Sequence, residues 1–367
     1  MKIAIDISQI IYGTGVSVYT KELVSRLVDL FPEDEYILFG GSLRRRGELE
    51  SMAKKLKGTP KIFPFPPTLM DFIWNSLHIL PVENLIGKVD LIHTSDWTEP
   101  PSRIPKITTV HDLVPFKYPQ ATTDNIRNAH KKKLAWVIRE SKKIIAVSES
   151  TKLDLINILR VPESKIVVIP EGCESRYVPQ PVDIQEMVKR RYKTGDEFIF
   201  ALSTLEPRKN QAGLISAFRL VQKKYPRLKL VVAGRVRQDN TVEASEGVIL
   251  PGYVPVTALP GLYSACLAFI HPAFYEGFGL TPLEAMASGA AVAVSNNSSL
   301  PEVVGDAGIL FDPNSVESIA SGIIKAIQNR ASLSKKSLKQ AKLFSFGETA
   351  RRTHRVYEEV LSEIGNL

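Results

Sequence analysis

Residues 267–295 read LAFIHPAFYEGFGLTPLEAMASGAAVAVS: an apolar strand, a glycine-rich loop, a helix and a second apolar strand in one run. Strands joined through a helix pair in parallel, because the chain must cross back over the sheet before the next strand can align with the first. The first strand ends near His271 and Pro272, and the loop after it carries Glu276, Gly277 and Gly279. Proline suits the first helical position, so a helix is expected from Pro282 with Thr281 as its N-cap. Glu284 then falls three residues after the cap, and TPLE fits the capping box, in which threonine and glutamate satisfy each other's orphan NH groups. Glu284 therefore has a structural reading beside a ligand-binding one. Glu276, set between Tyr275 and two glycines at a strand end, has no capping role and is either exposed to solvent or aimed at a ligand.

The glycines let backbone approach a bound group, and the free NH groups of a helix start favour phosphate by hydrogen bonding and dipole. Carboxylates beside phosphate repel it. If both features serve one ligand, the glutamates face its hydroxyls and the NH groups its phosphates, the division of chemistry found in a nucleotide sugar.

The same strand and helix alternation runs along the whole chain. KIAID (2–6), YILFG (36–40), LIHTS (91–95), KITTVHD (106–112) and KIIAVS (143–148) read as buried strands, with helical spacing in VSVYTKELVSRLVDLF (16–31). A second series, EFIFALS, LKLVVAG, GVILPG, LAFIHP, AAVAVS and AGILF, follows a break around Pro179 and Pro181. At 367 residues the chain exceeds one ordinary domain of about 150. The expected organisation is α/β: a Rossmann-like domain over 1–175, a second over 176–345, and a C-terminal helix over 346–367 packing back toward the first domain. Such sheets bind ligands outside the carboxyl ends of their strands, so a central cleft faced by both is expected.

Composition sets bounds on function. With 44% hydrophobic and 23% charged residues and no apolar run of about 18 residues, the chain reads as globular without a membrane-spanning helix. The N-terminus, MKIAIDISQI, lacks the pattern of a secretory signal. Cys173 and Cys266 make neither a disulfide framework nor a zinc spacing, in keeping with a reducing cytoplasm. A formal charge of +8 raises the question of an anionic partner. Basic residues gather at Arg44–Arg46 with Lys54, Lys55 and Lys57, and at Lys131–Lys133 with Arg139, Lys142 and Lys143. Solvated helix faces are the plain reading, and peripheral contact with anionic lipid at the inner face of the cell membrane is the functional one. Nucleic acid is not expected, since neither cluster interleaves aromatic residues.

Three further motifs sit at strand ends. ALSTLEPRKNQAGLI places Arg208 and Lys209 ahead of a helix, where arginine can grip phosphate bidentately and lysine as a point charge. AIDISQIIYGTGVSVYTKEL places Gly13 and Gly15 at a helix start after the first strand, without the three-glycine dinucleotide fingerprint. TTVHDLVP puts His111 and Asp112 after a strand, as a structural pair or as a general base with its neighbour. There is no serine nucleophile elbow, HExxH, Walker loop or Asp-any-Asp triplet, so no metal and no cofactor beyond a donor substrate are expected.

Taken together, the glycine turn, VHD, AVSESTKLDL, VVIPEG, LEPRKN and HPAFYEGFGLTPLEAMASGAAVAVSNNSSLPEVVGDAGILFDP resemble the retaining glycosyltransferases of the GT-B fold, family 4, over nearly the whole chain. The resemblance implies a nucleotide-sugar donor in the second domain and a glycan or lipid-linked acceptor in the first. It implies that Glu284 holds ribose hydroxyls and Glu276 the donor hexose. The NH groups of Phe278, Gly279, Leu280 and Thr281 then line sugar and diphosphate, Lys209 binds the diphosphate with Arg208 beside it as the stand-in for an arginine that many relatives carry five residues before the lysine, Gly15 approaches it, and His111 lies beside the transferred sugar. Many relatives carry an arginine where this chain has Thr204, and an asparagine where it has Glu171. TLEPRKN with HDLVP looks most like the mannosyltransferase branch, which makes GDP-mannose the favoured donor. The rival readings are a sugar-nucleotide epimerase, a glycogen- or sucrose-type synthase and a non-catalytic nucleotide-sugar binder; a dehydrogenase is disfavoured by the missing fingerprint.

Overall fold

The computed structural model describes residues 1–95, 97–202, 206–234 and 246–365. Thr204 lies outside them. The chain forms two compact units, one of Met1–Gly172 with the segment from Ser345 onward, the other of Cys173–Phe344.

Among the described residues, the first unit holds a parallel sheet of β1 (Lys2–Asp6), β2 (Glu35–Gly41), β3 (Thr59–Phe63), β4 (Leu91–Thr94), β5 (Lys106–Val110), β6 (Ser141–Ala146) and β7 (Ile166–Val168), in the order β3-β2-β1-β4-β5-β6-β7. Strand order reverses between β1 and β4. At such a switch point the loops leaving neighbouring strands diverge to opposite faces and open a crevice at the carboxyl ends. Two edge strands, β3 and β7, escape the sequence pattern. Pro60 weakens the strand signal of TPKIF, yet proline is tolerated on an edge.

The helix Gly15–Leu30 starts where Thr14 and Ser17 form a capping box. It buries Tyr19, Leu23, Val24 and Leu27 in a core shared with the terminal helix Phe346–Gly365, whose Val356, Tyr357 and Val360 are also buried. Gly172 has to be glycine here, because a Cβ would sit 2.1 Å from the Phe346 nitrogen. The second basic cluster is not one solvated helix face. Lys133 is buried in the helix Asp124–Glu140, while Lys142 and Lys143 belong to β6.

The second unit repeats the plan with β8 (Phe198–Leu202), β9 (Lys229–Ala233), β10 (Val248–Gly252), β11 (Ala268–His271), β12 (Val292–Ser295) and β13 (Gly308–Phe311), in the order β10-β9-β8-β11-β12-β13. All described pairings are parallel. The switch point lies between β8 and β11, registered by Ala268 opposite Ile199 and Phe269 opposite Phe200. This topology brings residues near 208 and residues near 276 to the same crevice.

Candidate active site

β8 and β11 end side by side, and their loops are joined by backbone: the Phe274 NH donates to the Arg208 carbonyl at 2.8 Å. Arg208 and Lys209 close a short 3₁₀ turn, Pro207–Lys209, and Asn210 follows in the left-handed region with φ 53°. Asn210 holds that conformation by donating from Nδ2 to the Pro313 carbonyl at 2.7 Å.

Both cations converge on Glu276. Lys209 Nζ donates to Oε1, Arg208 donates to Oε2 at 3.3 Å, and His271 Nε2 lies 2.7 Å from Oε1. Arg208 also donates to the Tyr275 carbonyl at 3.0 Å and to Glu206 at 3.0 Å, which fixes its fork. Burial pushes the Glu276 carboxyl up, but Lys209, Arg208 and His271 outweigh it and hold the group well below the usual carboxylate range. Burial lowers Lys209, Glu276 opposes that shift, and Arg208 adds to it. His271 is likewise lowered, first by burial and then by the two cations, against the pull of Glu276. A neutral His271 donating from Nε2 leaves Nδ1 to accept, and Thr281 Oγ1 lies 3.4 Å from it. Glu276 thus sits inside a cluster of Lys209, Arg208 and His271 that offsets its charge.

The loop after β12 braces this arrangement. Ser298 Oγ accepts from the Glu276 NH at 3.1 Å, and the buried Ser299 hydroxyl lies 3.0 Å from the Glu276 carbonyl and 2.5 Å from that of Phe278. Asn297 donates to the Phe274 carbonyl at 2.9 Å. Ser298 has φ 49°, a left-handed conformation that places its side chain against the Glu276 loop.

The helix after Glu276 begins earlier than its sequence suggests. It spans Leu280–Ala287, with Gly279 as N-cap at φ 117° and no side-chain cap. Thr281 is inside the helix facing His271, and Glu284 does not close a capping box. Instead Glu284 accepts from the Tyr263 hydroxyl at 3.1 Å and is also hydrogen-bonded to Tyr177. The reason is the glycine: Gly279 adopts the left-handed turn that proline placement alone does not reveal, and the helix starts from it. Burial raises the Glu284 carboxyl to about 8, opposed by the two tyrosine hydrogen bonds and reinforced by Glu174. With no side-chain hydrogen bond capping it, the helix leaves its leading NH groups without intrahelical acceptors, next to the cationic cluster. Phe278 is buried edge-on against Phe344 at 5.8 Å, which anchors the Gly277–Gly279 loop.

In the first unit, His111 follows β5. Its Nδ1 lies 2.9 Å from Glu171 Oε1, its Nε2 lies 3.3 Å from Ser95 Oγ, and Tyr19 meets its ring edge-on at 4.7 Å. The acidic partner of the ring is therefore Glu171 and not the adjacent Asp112, whose Oδ1 accepts from the Val114 NH at 2.9 Å. Gly13 takes φ 67° with open space around its would-be Cβ, and Gly15 opens the helix Gly15–Leu30.

Several residues of these sites were not read from sequence. Glu171 had no assigned effect, and His271 read only as a strand end, although a polar residue ending a buried strand is a usable signal. Ser298, Ser299, Tyr263 and Tyr177 give none, because serines in a loop and tyrosines in a core are common.

Comparison with known proteins identifies the family. Residues 183–343 match the model for glycosyl transferases group 1, and residues 13–176 match that for glycosyltransferase family 4. An O-antigen chain mannosyltransferase B of Escherichia coli is 32% identical over 94% of this chain and 96% of its own. The serotype-specific mannosyltransferase WbdA of the same organism is 32% identical over 70% of this chain, which spans 34% of that longer protein. Anabaena HepE, solved in complex with UDP and glucose, shares the fold at a TM-score of 0.74 and 18% identity, covering 98% of this chain and all of its own.

Proposed function

This chain belongs to the GT-B glycosyltransferases, and from that premise we propose that it transfers mannose from GDP-mannose to a glycan or lipid-linked glycan, with retention of configuration. The observation that carries the reading is the convergence of Arg208, Lys209 and Glu276 beside an uncapped helix start, at the carboxyl ends of β8 and β11. The names of the relatives support mannose as the transferred sugar.

In this reading the donor diphosphate takes over Lys209 and Arg208 from Glu276, and meets the NH groups of Phe278, Gly279, Leu280 and Thr281. Glu276, released from Lys209, accepts from hydroxyls of the mannose. Glu284, held by Tyr263 and Tyr177, receives the ribose. The family resemblance further assigns the backbone at Gly13 and Gly15 to the diphosphate, and His111, oriented by Glu171, to the transferred sugar.

The bond from C1 to the diphosphate oxygen breaks, the acceptor oxygen bonds to C1 on the same face, and the acceptor proton passes to the departing diphosphate. Negative charge grows on the leaving group, so Lys209 and Arg208 act more strongly on the transition state than on the ground state. Two fixed cations supply the charge stabilisation that a divalent ion gives elsewhere, and we propose that no metal or cofactor is needed.

No helix among the described residues is long and apolar enough to cross a membrane. We place the enzyme in the cytoplasm, with Arg44 and the basic helix Asp124–Glu140 meeting anionic lipid peripherally; salt-insensitive absence of binding to anionic vesicles would contradict that contact. The test of the donor is a thermal-shift screen over GDP, UDP and ADP sugars. The largest shift is expected with GDP-mannose, and preference for a UDP or ADP sugar would overturn the donor assignment.

A further inference from the structure

We propose that an aromatic pocket in the first unit holds one pyranose ring of the acceptor, an inference that rests on the transferase reading and adds a specific sugar subsite to it. The pocket has a volume of about 260 Å³ and is lined by Ser8, Tyr12, Met70, Trp74, Trp97 and Thr98, among others. It lies where β1 and β4 diverge: Ser8 and Tyr12 follow β1, and Trp97 and Thr98 follow β4. Ligands of open parallel sheets bind at such points.

Size and chemistry select the occupant. Pockets for drug-sized ligands run from about 300 Å³ upward, so this one suits a single ring and is too small for a nucleotide. Two indoles and a phenol give it aromatic walls. A pyranose matches them, because its C–H faces sit against electron-rich rings while its hydroxyls seek polar groups at the rim. Those groups are present. Tyr12 is 43% exposed and Trp97 36%, and among the described residues neither the Tyr12 hydroxyl nor Trp97 Nε1 has a hydrogen-bond partner. Ser8, also in the lining, is held in place by donating from Oγ to the buried Asp6 Oδ1 at 2.6 Å.

The walls are fixed before any ligand arrives. Met70 ends one short helix, and Trp74 lies in the π-helical turn Asp71–Leu77, a form that recurs at functional sites. Trp74 Nε1 donates to the Leu80 carbonyl at 3.1 Å. Its neighbour Asn75 ties the two tryptophan segments together, donating to the Trp97 carbonyl at 2.9 Å and accepting from the Glu99 NH at 2.9 Å. Trp136 donates to the Asn75 carbonyl at 3.0 Å, and Arg45 lies 5.9 Å over the Tyr12 ring. A site so ordered loses little conformational freedom on binding.

Saturation-transfer NMR on the full chain with GDP present tests this, using methyl pyranosides of mannose, glucose, galactose and N-acetylglucosamine, with 1-decanol as a hydrocarbon probe. At least one pyranoside is expected to bind, and both Trp97→Ala and Tyr12→Ala are expected to weaken it at least roughly tenfold. GDP affinity, measured in the same samples, should stay within about twofold of wild type and reports that each variant is folded. Tyr12 is exposed, so its variant keeps the test valid if Trp97→Ala does not fold. No pyranoside binding, binding that survives both substitutions, or occupancy by decanol alone would overturn the proposal. Failure of the wild-type chain to bind GDP would count against the donor reading instead.

Discussion

His111 and Glu171 are 60 residues apart in sequence and 2.9 Å apart through Nδ1 and Oε1. The side chains are only 9% and 5% exposed, so the pair fixes the ring orientation at the end of β5. A hydrogen bond to a charged group is worth about 1.5–3 kcal/mol. Glu171→Gln is therefore expected to lower turnover roughly tenfold to a hundredfold while leaving the dissociation constant for GDP unchanged, read by steady-state kinetics and titration calorimetry. A loss of GDP affinity with unchanged turnover would show that Glu171 acts elsewhere.

Lys209→Ala removes one of two cations from the proposed leaving-group site and leaves Glu276 with Arg208 and His271. Turnover should fall by roughly two to three orders of magnitude, the effect of losing one preorganised charge-stabilising donor. Unchanged activity would refute the role given to Lys209.

Glu284 makes folding stability depend on pH in a definite direction. Its carboxyl is raised from 4.5 to about 8, so the folded chain keeps a proton that the unfolded chain has lost. That contribution is fully present below pH 4.5 and disappears as pH rises through about 8. The difference in melting temperature between wild type and Glu284→Gln should drift against the wild type across this window. A flat difference would mean that the carboxyl is ionised throughout.

Ser299 is fully buried, and its single hydroxyl proton lies between two carbonyls of the Glu276 loop, closer to that of Phe278. Ser299→Ala leaves them short of a donor and should cost about 1–3 kcal/mol. Urea unfolding would show this as a lower midpoint at unchanged slope.

Much of this was legible in sequence because parallel α/β architecture writes itself as short β-branched runs between helical ones. β1, β2, β4, β5 and β6 were readable in this way, and so was the whole β8 to β13 series. β3 and β7 were not, since edge strands need neither a long apolar run nor freedom from proline. The loops carrying Arg208, Lys209 and Glu276 could be found because charged residues stood at the ends of buried strands. Their mutual ion pairing could not, because it depends on β8 lying next to β11, a strand order that no local pattern encodes. The helix start failed for a local reason: Thr281 and Pro282 make a good cap and first position, and Gly279 overrides them by its left-handed backbone.

The most direct test of the central claim is the anomer of the first mannose released when the enzyme hydrolyses GDP-mannose without an acceptor, followed by proton NMR before mutarotation. Retention at C1 predicts α-mannose, with release lost in Lys209→Ala. Release of β-mannose, or hydrolysis of a UDP or ADP sugar with none of GDP-mannose, would contradict it.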